Sequence, residues 1–290
     1  MASADQIETN ELKFCWEQVL RTNRLFRISQ VFAPADRAAQ LVPLYAHFAA
    51  VEEVCSDFSD EEVARRKLDW WRNECRLSNT QGSDHPILRQ LERTGALYAL
   101  PRDSLERLFA DAESRLDPMP PEHPEGLRER CRQISRPQFE LELSLWGDSR
   151  PEAQSCDSIA AVSGLAQIMR ETVRRRAPGN YWWLPLSLLA RHGVSRPEIS
   201  RDESAVPVQA LFTELLGTCR NWAPQPFGGG VLPQRADAAT RHLSVLSQLQ
   251  AHALRRLRPD QPTRFAAELN RVGLAQLYQA WRVARQARAR

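Results

Sequence analysis

The sequence predicts an all-α protein, and three observations support that prediction. Apolar residues recur at intervals of three and four along most of the chain, which is the spacing of one helix face. The alternation of apolar and polar residues that is typical of strands is nearly absent. Prolines and glycines interrupt the periodic segments where helices can begin or end. We therefore expect one domain of about ten helices over residues 10–290, after a flexible N-terminus of residues 1–9.

Three helices are well marked in the first half of the chain. Pro34 stands where a helix can begin, and Pro43 lies inside the same helix as a potential kink. One face of this helix is formed by Leu41, Tyr45, Phe48 and Glu52. The next helix has a stripe that consists of Ala64, Leu68, Trp71 and Cys75. Asp103 and Glu106 then fit a capping box at the start of a helix that ends near Leu116.

The second half begins after a proline-rich loop around residues 118–124. We expect a helix from Glu125 to Trp146, with a bend at Pro137 and an end at Gly147. Asp157 is expected to cap the following helix, which runs through Met169, and Pro185 restarts the chain toward Gly193. The remaining helices are expected over Ala205–Trp222, Ala236–Leu257 and Thr263–Ala287.

Length and composition exclude several classes of protein. The 290 residues are 42% hydrophobic and 26% charged, which excludes disorder. The six cysteines contain no Cys-x-x-Cys pair, so a disulfide framework or a zinc module is not expected. The longest nearly apolar run, Tyr181–Ala190, is too short to cross a bilayer, and the first ten residues do not resemble an export signal. We therefore expect a cytoplasmic protein.

Positive charge is concentrated at the C-terminal end. Between Arg235 and Arg290 there are eleven arginines and three acidic residues, a net charge of +8 in a chain whose total is +3. Two interpretations remain open for this segment: a solvated helix face, or contact with an acidic surface such as the inner face of a membrane. We do not expect nucleic-acid binding, because no recognition module is visible.

An acidic cluster lies near the end of the helix that Pro34 begins. Glu53 and Asp57 are four residues apart and share a helix face, while Glu52 points elsewhere. Paired carboxylates at this spacing can hold Mg²⁺, although an acidic helix end is often only solvated. No phosphate-binding glycine loop, zinc motif or nucleophile elbow accompanies the cluster.

The order of several motifs resembles that of the squalene/phytoene synthase family. The motifs are Tyr45-Ala46, the acidic pair at residues 52 and 53, LDWW at 68–71, HP at 85–86, GLAQIMRE at 164–171, Gly179, LP at 184–185 and HGVS at 192–195. The resemblance covers residues 14–271. It implies the isoprenoid-synthase fold, in which helices surround a central cavity that takes polyprenyl diphosphates. In active members, aspartates on two facing helices hold Mg²⁺, which helps the diphosphate to leave.

This chain departs from the family in both acidic motifs. At the first motif the matching residues are Glu52, Glu53 and Ser56, and Ala49 replaces the usual arginine. At the second, Glu171 matches the first aspartate, and the later acidic positions are occupied by Arg174 and Arg175, followed by Arg176. A guanidinium cannot ligate Mg²⁺ and repels it, so the ordinary three-metal site cannot assemble. Glu171 and Arg175, four residues apart, are expected to pair with each other.

The resemblance also assigns expected roles to individual residues. If the protein is active, the Mg²⁺ ligands would be Glu52, Glu53, Asp57 and Glu171. A diphosphate or another anion would be bound without metal by Arg170, Arg174, Arg175 and Arg176, unless the arginines after residue 173 form only an exposed basic helix end. The cavity would be lined by Tyr45, Phe48, Trp71 and Gln167. Because adjacent tryptophans cannot share a helix face, only one of Trp70 and Trp71 is expected to face it.

The eroded motifs are most similar to one branch of the family, the phytoene-synthase-like assembly factor of mitochondrial respiratory complex I. Our leading hypothesis is a non-catalytic or altered member that needs no cofactor. It would bind a partner protein or an isoprenoid-like ligand, with peripheral membrane contact through the basic C-terminal helices. The alternative is an active, Mg²⁺-dependent prenyl transferase that condenses farnesyl or geranylgeranyl diphosphates.

Overall fold

A computed structural model describes residues 4–145, 153–174, 181–222 and 238–286 of the chain. All regular structure within these ranges is helical, which confirms the predicted all-α fold. The first eight helices are α1 Ala4–Thr22, α2 Phe26–Ser29, α3 Ala35–Ser56, α4 Glu61–Gln81, α5 Pro86–Arg93, α6 Ala96–Ala99, α7 Arg102–Ser114 and α8 Pro124–Ser144. The next seven are α9 Ala153–Arg174, α10 Leu186–His192, α11 Arg196–Arg201, α12 Val206–Arg220, α13 Ala238–Arg256, α14 Phe265–Leu269 and α15 Leu274–Gln286.

Two large apolar clusters form the core. The first lies mainly among α1 and α3 to α7, and it contains the predicted stripe of Ala64, Leu68, Trp71 and Cys75. The second lies mainly among α8 to α14, around side chains such as Trp183 and Phe212. A smaller cluster joins α13 and α15 to the segment around α2. The candidate site lies where helices of the two large clusters face each other.

The close packing of α8 against α9 depends on Gly164. A Cβ atom built on Gly164 would lie 2.0 Å from the carbonyl oxygen of Cys131, on the neighbouring helix. The two helices would have to move apart to avoid this overlap, because protein interiors are closely packed and have no free space of this size. The glycine that begins the GLAQIMRE motif is therefore required by the contact between two backbones.

Most predicted helix boundaries are confirmed. Pro34 precedes α3, and Pro43 lies inside it. Pro185 precedes α10, which ends at Gly193 in the left-handed conformation, with φ of 59°. Nine of the described helices have 13 or more residues, near the predicted number of about ten, and the others are short pieces of four to eight residues.

Three boundary predictions were wrong. Helix α7 begins after Pro101 with no side-chain cap, so Asp103 lies in the first turn instead of forming a capping box with Glu106. Asp157 lies inside α9, where its carboxylate pairs with Arg132 at 2.5 Å instead of capping the helix.

The third error concerns the last predicted helix, Thr263–Ala287. It is interrupted after α14 at Asn270, whose side-chain oxygen accepts a hydrogen bond from the backbone N–H of Arg24. The predicted helix end at Gly147 lies outside the described residues.

Candidate functional site

The central cavity lies where α3, α8, α9 and α13 face one another beside the end of α1. Its volume is about 40 Å³, enough for a few water molecules. Helix α3 contributes Tyr45, Phe48 and Glu52 to the lining, and α9 contributes Gln167 and Arg170. Further polar lining comes from Thr22, Asn23, Gln138, Ser163 and Gln250, and apolar lining from Val19, Ala49, Phe139 and Leu246. The predicted lining residues therefore meet here, with the exception of Trp71.

A buried arginine occupies the centre between the two acidic motifs. Arg115, which follows α7, donates a hydrogen bond from Nη1 to Oε1 of Glu171 at 2.5 Å. Its Nε lies 3.2 Å from Oδ2 of Asp111, one helical turn earlier. The side chains of Arg115 and Glu171 are each only 1% exposed. Glu171 thus has a cationic partner in Arg115, while its predicted pairing with Arg175 involves a residue outside the described ranges.

The surroundings of Arg115 keep it charged. Burial alone would lower the pKa of Arg115, but the acidic groups around it raise that pKa above its usual value. These groups are Cys55, Glu171, Asp111 and Glu52. Burial raises the pKa of Asp111, and the charge of Arg115 opposes this shift. One guanidinium thus interacts with carboxylates of both motifs, on α3 and on α9.

The described residues do not fit the magnesium site that the family resemblance implies. Mg²⁺ requires oxygen ligands at close range, but the Glu171 carboxylate is engaged by Arg115. Ser56, at the third position of the first motif, is buried and offers only a hydroxyl. Within the described ranges, no group of three or more His, Cys, Asp or Glu side chains is arranged to hold a metal ion.

The four predicted metal ligands are divided between two cavities. Glu52 faces the central cavity, and Glu171 lies beside it. Glu53 points about 100° away from Glu52 on α3, and Asp57 directly follows the end of that helix. They line a second cavity of about 340 Å³, together with Trp71, His85, Lys67 and others. The carboxylates of the first motif therefore do not converge on one ion.

The predicted anion ligands are described only in part. Arg170 is buried and lines the central cavity. Arg174 is the last residue of α9, and its side chain is not among the described ones. Arg175 and Arg176 lie outside the described residues, so their roles stay predictions.

A buried polar cluster adjoins the central cavity at Tyr45. The Tyr45 hydroxyl donates a hydrogen bond to Oε2 of Glu142 at 2.6 Å, and Nε2 of His242 lies 3.3 Å from the same hydroxyl. Burial raises the pKa of Glu142 to about 8, although the hydrogen bond from Tyr45 acts to lower it. Burial also lowers the pKa of His242 to about 4. All three groups are therefore mainly neutral at pH 7, which limits the cost of burying them.

Sequence reasoning missed the central roles of Arg115, Glu142 and His242. Arg115 has one local signal, its spacing of four residues after Asp111, but such pairs are common on helix surfaces. Glu142 lies between Leu141 and Leu143, and its neighbours gave no sign that the carboxyl group is buried. These residues come together only through the packing of α3, α7, α8, α9 and α13.

Comparisons with known proteins agree with this architecture. A family model described as squalene/phytoene synthase matches residues 21–276. A crystal structure of a dehydrosqualene synthase in complex with ligand is similar with a TM-score of 0.66 and 12% identity, over 97% of this chain and 96% of that one. Squalene synthase HpnC from Alicyclobacillus acidocaldarius is similar with a TM-score of 0.55 and 18% identity, over 97% and 95%. No curated protein sequence matches.

The two kinds of comparison support different statements. At identities of 12% and 18%, the likeness to the solved structures shows a shared fold. The family model matches far more than half of the 290 residues, and the matched range contains the motifs on α3 and α9. The chain therefore belongs to the squalene/phytoene synthase family.

Proposed function

We propose that this protein is a family member that acts by binding, without Mg²⁺-dependent prenyl transfer. The observation that supports the proposal is the ion pair of Arg115 with Glu171, with Asp111 and Glu52 nearby. The guanidinium supplies positive charge where the family uses metal ions. A guanidinium has N–H hydrogen-bond donors but no vacant orbital. It can therefore bind diphosphate oxygens, but it cannot act on them as a Lewis acid. The carboxylates are neutralised, but no leaving group is activated.

The small volume of the central cavity argues against an isoprenoid-like ligand there. Its volume of about 40 Å³ compares with roughly 300–1,000 Å³ for typical small-molecule sites. Much of its lining is polar, with glutamines on α8, α9 and α13. To fit an isoprenoid-like ligand, the cavity would have to widen, and these glutamine side chains would have to move apart. We therefore place an isoprenoid-like ligand second, and we propose an assembly-factor-like role similar to that of the family's degenerate branch.

The proposed place of action is the cytoplasm, in contact with the inner face of the membrane. Among the described residues no helix is long and apolar enough to cross a bilayer. The described cysteines are buried free thiols, as expected in a reducing compartment.

An active prenyl transferase is the alternative, and one observation favours it. Glu52, Gln167 and Arg170 line a single cavity, and Glu171 lies beside it, so residues of both family motifs do converge. If this alternative holds, Mg²⁺ would be bound by Glu52, Glu53, Asp57 and Glu171. The separation of Glu53 and Asp57 from the central cavity argues against that set.

The test is incubation of the purified protein with labelled farnesyl and geranylgeranyl diphosphates, with Mg²⁺ and with a chelator. We expect no C30 or C40 product in either condition. A squalene/phytoene synthase-type product that forms with Mg²⁺, and that is lost in Glu52→Gln, would overturn the proposal. Glu62→Gln, on the exposed side of α4, is the matched control for the loss of one glutamate charge.

A second measurement separates the two proposed ligands. Farnesyl diphosphate is titrated into the protein without Mg²⁺, and the heat of binding is compared with that of Arg170→Gln. If a partner protein is the ligand, we expect no saturable binding by either protein. Saturable binding that Arg170→Gln weakens at least tenfold would instead identify an isoprenoid diphosphate as the ligand.

A further inference from the structure

Helix α15 has a buried face and an exposed apolar face. Ala280, Val283 and Ala284 are buried and pack in one cluster with Leu246 of α13 and with residues around α2. The opposite side of the helix carries Leu274, Leu277, Tyr278 and Trp281, which are 84%, 49%, 60% and 49% exposed. These four residues are spaced by three, one and three positions, so they form one continuous strip along the helix. We call them the outer strip.

Two arginines of the described part of α15 contact the aromatic rings of the outer strip. The guanidinium of Arg285 lies over the ring of Trp281 at 5.3 Å, and that of Arg282 lies over Tyr278 at 6.0 Å. The two rings stack on each other with centroids 6.0 Å apart. No acidic residue occurs between Glu268 and the end of the sequence. The exposed face therefore combines large apolar surface with positive charge alone.

This combination has the chemistry of a surface that binds an anionic bilayer. Tryptophan and tyrosine favour the headgroup region, because their rings have an apolar body and a polar edge. Arginine pairs with lipid phosphates and is attracted by the negative potential of anionic lipids. The net charge of +8 between Arg235 and Arg290 extends this attraction beyond α15 itself. An acidic side chain in the strip would oppose both contributions, and none is present in α15.

We propose that the outer strip of α15 docks the protein on the surface of an anionic lipid bilayer. Leu274, Leu277, Tyr278 and Trp281 enter the headgroup region, and Arg282 and Arg285 contact lipid phosphates. Because Leu246 of α13 both lines the central cavity and packs in the cluster with α15, docking through α15 brings the bilayer close to that cavity. The inference deepens the proposed function and rests on its placement at the membrane, for which it names the surface of contact. Its test does not depend on whether the cavity is catalytic.

The experiment is co-sedimentation of the full chain with sucrose-loaded vesicles. One set contains phosphatidylcholine alone, and the other contains phosphatidylcholine with about a third phosphatidylglycerol. We expect binding to the anionic set at low salt, and a marked loss at 0.5 M NaCl, where screening shortens the electrostatic range to a few ångström. Binding to the neutral set should be at least tenfold weaker. Equal binding to both sets, or no binding to the anionic set, would overturn the proposal.

Variants locate the surface. Tyr278→Ser with Trp281→Ser, and Arg282→Gln with Arg285→Gln, should each weaken anionic-vesicle binding at least tenfold, since a single basic residue contributes about fivefold. The matched control is Tyr98→Ser on α6, an aromatic residue that is 66% exposed outside the outer strip. Circular dichroism must show that each variant is folded. The proposal fails if both double variants bind as well as the control.

A second copy of the chain is the competing occupant of the outer strip. Sedimentation velocity without lipid tests it with the same proteins. A monomer for the wild-type protein agrees with the proposal. A dimer that Tyr278→Ser with Trp281→Ser dissociates, combined with unchanged vesicle binding of that variant, would show that the strip is a contact between copies and would overturn the proposal.

Discussion

Replacement of Arg115 by methionine tests whether this residue is the internal counter-ion of the acidic centre. Methionine keeps much of the length and none of the charge, so Glu171 would remain buried without its cation. Removing one partner of a buried ion pair costs about 3–5 kcal/mol of unfolding free energy. Since both side chains are 1% exposed and Asp111 loses the same partner, we expect a value within this range. Total stabilities are typically about 5–15 kcal/mol, so the loss is large.

The assay is urea denaturation followed by far-ultraviolet circular dichroism at pH 7. The double variant Arg115→Met with Glu171→Met should recover part of the loss, because it also removes the buried charge of Glu171, while Asp111 still lacks its cationic partner. The control is Arg66→Met, which breaks the exposed pair with Glu62 on α4 and should change stability by less than about 0.5 kcal/mol. The reasoning is refuted if Arg115→Met costs less than about 1 kcal/mol, or if the double variant is as unstable as the single one.

Two further predictions concern packing and pH. Gly164→Ala should destabilise the protein by more than about 2 kcal/mol in the same denaturation assay, because its methyl group would overlap the Cys131 carbonyl. Gly217→Ala, on α12 with no atom within 4 Å of the new methyl, should be neutral or stabilising, and equal losses in the two variants would contradict the packing argument. The pKa of Glu142 is raised to about 8 by burial, so the folded state holds a proton that the unfolded chain releases near pH 4.5. The stabilisation that this proton provides is complete below about pH 4.5 and is lost progressively up to about pH 8. The contribution of Glu142 to the unfolding free energy should therefore fall as the pH rises over this range. Glu142→Gln should remove this contribution and make the pH profile flatter. Parallel pH profiles of the two proteins would show that Glu142 is not responsible.

The helices could be predicted from the sequence because their signals are local. Pro34 and Pro185 precede helices, and the stripe around Leu68 is buried, since helix spacing and proline geometry act within a few residues. The error at Asp157 has a cause outside its own helix. Asp157 has the composition of a cap, but its carboxylate is taken by Arg132 on another helix, which the order of residues along α9 does not reveal.

The candidate site was less predictable, because it depends on which helices face each other. The motif order placed Glu52, Gln167 and Arg170 in related positions, and the three line one cavity. The spacing of Glu53 and Asp57 predicted a shared face, and the two residues line one cavity, but not the central one. The partner expected for Glu171 was Arg175, which lies outside the described residues. Among the described residues Arg115 contacts Glu171, and it is 56 residues away in sequence.

The ion pair between Arg115 and Glu171 has a consequence for how the protein would respond to its surroundings. In a metalloenzyme of this fold, the bound Mg²⁺ ions exchange with those in solution, so the occupancy of the metal site depends on the concentration of divalent ions. In this protein the charge that neutralises Glu171 belongs to the side chain of Arg115. The ion pair therefore forms when the end of α7 packs against α9. From the proposed function we therefore expect chelators to leave the folded shape unchanged, whatever the supply of divalent ions.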